Sequence, residues 1–262
     1  MPDDSNRPLL ALFAHADDEF AVFPWLQAAA SGGRAVHCIW LTDGGFNGQD
    51  IQRRAHESIN VLQGLGVEAS GMHFVGAEWN IPDGELHRRL DDVVPRLLQE
   101  FGHLTGAADL LIPAWEGGHH DHDAAHLAGL ALAAAGTVSV RQYSLYHGSG
   151  LRGPWFRVLS PLAANGRQEV IKTTLWERLG YATRCLGYSS QWRSFLGLLP
   201  FYLVRMLRKD AFVLQPVDVA RTAAKPHDGL LLYERRGGPA WQDFAVYTRQ
   251  YRMPDLQASD RL

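Results

Sequence analysis

Residues 8–20 read "PLLALFAHADDEF". Six successive apolar residues (9–14) suit a strand at the centre of a parallel sheet, where helices cover both faces and no polar alternation is needed. The run then ends abruptly in His15, Asp17, Asp18 and Glu19. Like charges crowded at a strand end repel one another, and a buried carboxylate carries a large desolvation cost. Either this loop lies open to water, or a cation belongs beside it.

Working outward, apolar runs alternate with helical patterns over the first 146 residues. Strands are expected at 9–14, 35–42, 71–76, 108–114 and 137–146, and helices at 19–31, 51–64, 84–102 and 121–135. That alternation predicts an α/β fold: a Rossmann-like, doubly wound, mostly parallel sheet in the order 3-2-1-4-5, with helices on both faces. Strands 1 and 4 then become neighbours where the winding reverses, so the loops after them face one crevice. These loops are "HADDE" (15–19) and "WEGGHHDHDAAH" (115–126), about 100 residues apart in sequence. Residues 147–262 are less regular; 171–197 is expected as one or two helices and "GLLLYERRGG" (229–238) as a late strand and turn. No linker separates the halves. A single domain over 1–262 is expected, with 1–146 as the core and 147–262 as an elaboration that closes the crevice.

Composition narrows the classes. The 262 residues carry a net charge of −3 with no basic patch, which argues against a nucleic-acid partner. Cys38 and Cys185 are too few for a disulfide framework, and a reducing cytoplasm is the expected setting. The polar, acidic start "MPDDSNRP" is not a signal peptide. No apolar run reaches the roughly 20 residues that cross a bilayer. The nearest, "FLGLLPFYLVRML" (195–207), is broken by Pro200 and Arg205. It stands as a core helix, pocket wall or dimer contact, with a peripheral membrane or lipid-linked substrate contact as the sharper alternative.

Four of the twelve histidines fall at 119, 120, 122 and 126, with Asp121 and Asp123 among them. On a helix His119 and His122 share a face, as do His122 and His126. Together with His15, Asp17 and Asp18 they supply nitrogen and oxygen ligands suited to zinc, whose catalytic sites hold three protein ligands and an open position. A cation between the carboxylates would remove their repulsion. Acidified water, a carboxylate base and a histidine facing the carbonyl are the parts of metal-assisted amide or ester hydrolysis. Spacing alone does not decide which acid binds and which acts as base.

With these residues in view, "AHADDE" (14–19) and "HHDH" (119–122) resemble the AHPDDE and HxDH motifs of the LmbE-like, or PIG-L, family of zinc-dependent N-acetylglucosaminyl deacetylases. "LTDGG" (41–45), "RAHE" (54–57) and "LGV" (65–67) stand where that family has comparable elements, as do "YSSQ" (188–191) and "YER" (233–235) further on. The resemblance implies zinc, with iron(II) as the other candidate, held by His15, Asp18 and His122. It implies Asp17 as general base, His119 as electrophile or acid with Asp121 orienting it, and Arg54 as a contact for substrate hydroxyls or a phosphate. It implies a small-molecule or glycoconjugate substrate carrying an N-acetylated amino sugar; a homo-oligomer is left open. Two residues depart from the family pattern: Ala16 and His120 stand where proline is usual. Gly117 stands where some relatives have a tyrosine.

Other roles are weighed beside these. Trp115, at the crevice mouth, is a stacking surface for a sugar ring or a packing residue. Arg54 and Glu57 fit a helix-surface ion pair as well as a substrate contact. His126 is expected behind the ligands, His120 and Asp123 toward solvent or substrate, and Glu19 in a helix start. The aromatics from Trp176 to Tyr202 read as core, or as the wall of an apolar aglycone site. A phosphoacceptor switch lacks its aspartate after strand 3 and its lysine after strand 5, and a DxD phosphatase lacks its spacing. A catalytically silent glycan-binding relative, or a zinc amidase acting on another amide, remains as the alternative function.

Overall fold

The computed structural model describes residues 7–45, 48, 50–136 and 139–252. The strands are β1 (Leu9–Phe13), β2 (Val36–Trp40), β3 (Met72–His73), β4 (Asp109–Pro113), β5 (Ser139–Tyr143), β6 (Tyr146–His147), β7 (Arg157–Val158), β8 (Glu169–Val170) and β9 (Val213–Pro216). The helices are α1 (Phe23–Ser31), α2 (Ile51–Gln63), α3 (Val75–Glu78), α4 (Leu90–Thr105), α5 (His120–Ala134), α6 (Leu175–Arg184), α7 (Trp192–Met206), α8 (Leu232–Arg235), α9 (Trp241–Tyr247) and α10 (Arg249–Arg252).

Seven strands form one sheet in the order β3-β2-β1-β4-β5-β9-β8. The first five are parallel and match the order expected from the sequence; β9 and β8 from the second half add antiparallel at the edge. All five residues of β1 are buried. Leu9, Ala11 and Phe13 enter one core and Leu10 and Leu12 the other, so the sheet separates two apolar layers. Helix α5 closes one layer, and it lies so near β4 that a Cβ on Gly129 would come within 2.4 Å of Ile112 Cγ2.

Several boundaries shift for local reasons. The helix expected over 19–31 is a 3-10 turn (Asp18–Ala21) followed by α1, because Pro24 has no N–H to continue a ladder and suits a helix start. Strand β3 has only two residues, and the chain turns at Phe74 into α3. The first two residues of the run 137–146 lie outside the described residues. The strand expected within 229–238 is instead the short helix α8. Glu234 accepts the Leu231 N–H and Leu232 donates to the Gly117 carbonyl, so the backbone is committed to turn contacts rather than a sheet edge.

Helix α7 is two-faced. Tyr202 and Met206 are buried, while Leu196, Leu203 and Val204 are exposed. Among the described residues no helix is long and apolar enough to cross a membrane.

Candidate metal centre

The loops after β1 and β4 meet at the C-terminal edge of the sheet, as adjacent strands require. Asp18 Oδ2 accepts the N–H groups of Ala14 (3.1 Å) and His15 (2.8 Å), which folds the first loop back on itself. Its other oxygen lies 3.1 Å from His122 Nε2. That contact is out of hydrogen-bond alignment, and neither ring nitrogen of His122 has a hydrogen-bond partner although the residue is buried. Ligand atoms of His15, Asp18 and His122 all lie within 4.8 Å of one another.

The second loop depends on two glycines. A Cβ on Gly118 would fall 1.8 Å from the Tyr146 carbonyl oxygen, and Gly117 has φ 71° with Leu231 against it. Immediately after them His119 caps α5, its Nδ1 accepting the Asp121 N–H at 3.2 Å. An accepting Nδ1 leaves the proton on Nε2. Burial, with the His15 and His120 rings beside it, holds His119 well below the usual imidazole range, which agrees with a neutral ring.

Charge in the cluster is unevenly shared. Burial alone would lower His15, but the carboxylates of Asp83, Asp121 and Asp18 draw it well above the ordinary value. Burial would raise Asp18, yet His122 and His15 hold it well below the carboxylate range. Asp17 goes the other way: burial, with Asp18 and Glu19 nearby, raises it in spite of Arg54. The cluster thus holds Asp18 ionised against its histidines, while its neighbour Asp17 has a raised affinity for a proton. Asp17 sits at φ 118°, a left-handed conformation costly for a residue with a Cβ.

Asp121 corrects an expectation. Its carboxylate makes no hydrogen bond to the His119 ring; it accepts N–H groups from Gly84 (2.6 Å) and Leu86 (3.1 Å) and lies 3.2 Å from His15 Nε2. His119 is held by the Asp121 backbone instead. Trp115 is 0% exposed, and its indole N–H donates to the Ala224 carbonyl, so no face is open to a sugar. Arg54 is 4% exposed; it donates to the carbonyls of Gly44 (2.6 Å) and Ala16 (2.7 Å) and faces Asp17 and Asp83. It is a strut beneath the first loop, holding the carbonyl of the alanine that replaces the family's usual proline. The ion pair with Glu57, the alternative reading of Arg54, is made by Arg53 instead.

Some residues around the site escaped the sequence. Asp83 lies 3.2 Å from His15 Nε2, but "IPDG" signals only a turn. Tyr146, with its ring centroid 5.3 Å from that of His122, comes from the end of the fifth strand region. Glu19, Glu116 and Asp123 are buried clamps. Glu19 accepts from Asp17 N–H, Trp40 and Tyr188; Glu116 from Ser144, Leu145 and Tyr146; Asp123 from the N–H groups of Glu116 and Gly117. His126 donates to the Pro113 carbonyl behind the cluster. His120 and Asp123 turn inward rather than to solvent.

A parallel α/β sheet whose switch-point crevice gathers histidines and aspartates defines an α/β protein with a candidate metal centre. Residues 10–133 match the family model described as PIG-L: GlcNAc-PI de-N-acetylase. Among solved structures, a deacetylase triple mutant of the teicoplanin biosynthetic pathway is 18% identical with a TM-score of 0.57, covering 80% of this chain and 98% of that one. A deacetylase–bog complex of the same pathway is 19% identical (TM-score 0.54; 86% and 95% covered). The conserved protein TT1542 from Thermus thermophilus is 19% identical (TM-score 0.53; 80% and 93% covered). At these identities the likeness is one of fold. No curated protein matches the sequence.

Proposed function

We propose that the protein is a metal-dependent N-deacetylase acting on an N-acetylated amino sugar of the N-acetylglucosamine type, in a single domain whose C-terminal half closes the crevice. The observation that carries this is the meeting of His15, Asp18 and His122, with both buried nitrogens of His122 lacking hydrogen-bond partners. Two imidazoles and a carboxylate are a zinc or iron(II) donor set, so the residues fit the metal that the family implies. When bound, such an ion acidifies water and polarises an amide carbonyl. The family description and the teicoplanin deacetylases support the choice of an amide substrate.

The chain's own residues supply the rest. Asp17, with its raised affinity for a proton, takes the proton of the attacking water and returns it to the leaving nitrogen. His119 presents its Nε2–H to the carbonyl oxygen as negative charge grows there, and the Asp121 backbone keeps that tautomer in place. Asp121, Asp83 and Asp18 fix the orientation of the His15 ring. Arg54 pins the Asp17 loop. Tyr146, Phe156 and Phe201 are in successive ring contact from His122 to α7, a wall suited to an apolar part of a glycoconjugate or to a lipid surface.

Acetate release from a panel of N-acetylated sugars and sugar conjugates tests the proposal. Release by the wild type that falls to background in Asp17→Asn supports it. A metal-loaded protein that binds those sugars without releasing acetate makes it a glycan-binding relative instead.

A further inference from the structure

We propose that His87, His120 and Asp121 form a second divalent-cation site beside the first, linked to it through the contact of Asp121 with His15. Ligand atoms of these three residues lie within 4.8 Å of one another. His87 is 2% exposed on the 3-10 turn Leu86–Arg88, and neither of its ring nitrogens has a hydrogen-bond partner. Buried polar groups are paired as a rule, and a histidine orphaned at both nitrogens calls for a water or an ion. Its ring stands edge-on to His120 with centroids 5.0 Å apart, and Phe244 stacks on it at 5.9 Å.

His120 Nε2 lies 2.8 Å from the Gly84 carbonyl oxygen and 3.9 Å from Asp121 Oδ1. A cation replacing the Nε2 proton there meets an imidazole, a carboxylate oxygen and a backbone carbonyl. The other oxygen of Asp121 lies 3.2 Å from His15 Nε2, so this carboxylate links the second cluster to a ligand of the first through the His15 ring. Two imidazoles and a carboxylate select zinc and its transition-metal neighbours over magnesium or calcium. His120, one of its ligands, stands where the resembled family usually has proline.

Metal counting tests this without reference to turnover. Chelator-stripped protein is titrated with Zn²⁺, desalted and measured by plasma mass spectrometry, with Co²⁺ absorption as a second readout of ligand geometry. The wild type binds two ions per chain, His87→Phe one, His122→Ala one and the double variant none. His87→Phe keeps a ring stacked on Phe244. His120→Pro gives an independent variant: position 120 is the first residue of α5, and His119 already has the extended φ −129°, ψ 139° that a following proline requires. It binds one ion as well. A wild type saturating at one ion lost only in His122→Ala, or a His120→Pro and His87→Phe pair that each keep two, overturns the proposal and leaves water as the partner of His87. One ion lost in His87→Phe but kept in His122→Ala supports the second site and refutes the first.

Discussion

The two loops that build the crevice achieve the same proximity by different means. The loop after β1 carries its backbone strain on a residue with a side chain: Asp17 is at φ 118°, held by Glu19, which accepts its N–H at 2.9 Å, and by Arg54 on the carbonyl before it. The loop after β4 places its positive φ on Gly117, where it costs little, and ties its backbone down with Glu116 and Asp123. Both loops bury acids, and in both the acids divide into two kinds. Glu19, Glu116 and Asp123 hold the chain through N–H donors, and burial raises each of them. Asp18 and Asp121 accept backbone N–H groups too, but they also face histidines and are held low. Positive φ on Asp17, rather than on a glycine, is backbone strain of the kind functional sites hold and agrees with the base proposed there.

The comparison is broken most severely at Asp17. Asp17→Asn is expected to lower turnover by about 10²–10⁴-fold with metal content unchanged, since only a base is removed. If that variant loses metal as His122→Ala does, the two adjacent aspartates have exchanged roles. Arg54→Lys, measured by urea unfolding, is expected to cost about 2–4 kcal/mol because one ammonium cannot hold two carbonyls and two carboxylates in the same fork. Unchanged stability with a raised KM would make Arg54 a substrate contact after all.

Glu116→Gln sharpens the contrast on the other loop. Burial pushes the Glu116 carboxyl up to about 7 from an ordinary 4.5, so its share of stability is complete below pH 4.5 and is lost as pH rises through 7. The amide variant removes that dependence, gaining on the order of 3 kcal/mol over the wild type at pH 8 and nothing at pH 4. Paired denaturation curves at the two pH values check it; parallel losses at both would show that Glu116 is held ionised. Tyr188→Phe, which removes one donor to Glu19, is expected to cost only about 1–2 kcal/mol with turnover little changed. A large fall in turnover would show that Glu19 governs the geometry of Asp17.

The sheet was legible because β1, β2 and β4 are continuous apolar runs, and a doubly wound order follows once they are parallel. The position of the cluster followed from that order, which is why His15, Asp18 and His122 are found together. What escaped was the orientation of individual side chains. Nothing in the spacing of "HHDH" says that Asp121 turns toward His15 and Gly84 while its backbone holds His119. Trp115 reads the same whether its indole faces a sugar or Ala224. Residues 229–238 carry the apolar pattern of a strand, yet Glu234 and the Gly117 carbonyl bind their N–H groups first. Asp83 and Tyr146 reach the cluster through tertiary folding alone.

The most direct test of the central claim is the metal content of gently purified wild type beside His122→Ala, with both folds verified by circular dichroism. The account predicts at least one zinc or iron per wild-type chain and one equivalent fewer in the variant. A wild type that holds no metal and takes up no added zinc would contradict it.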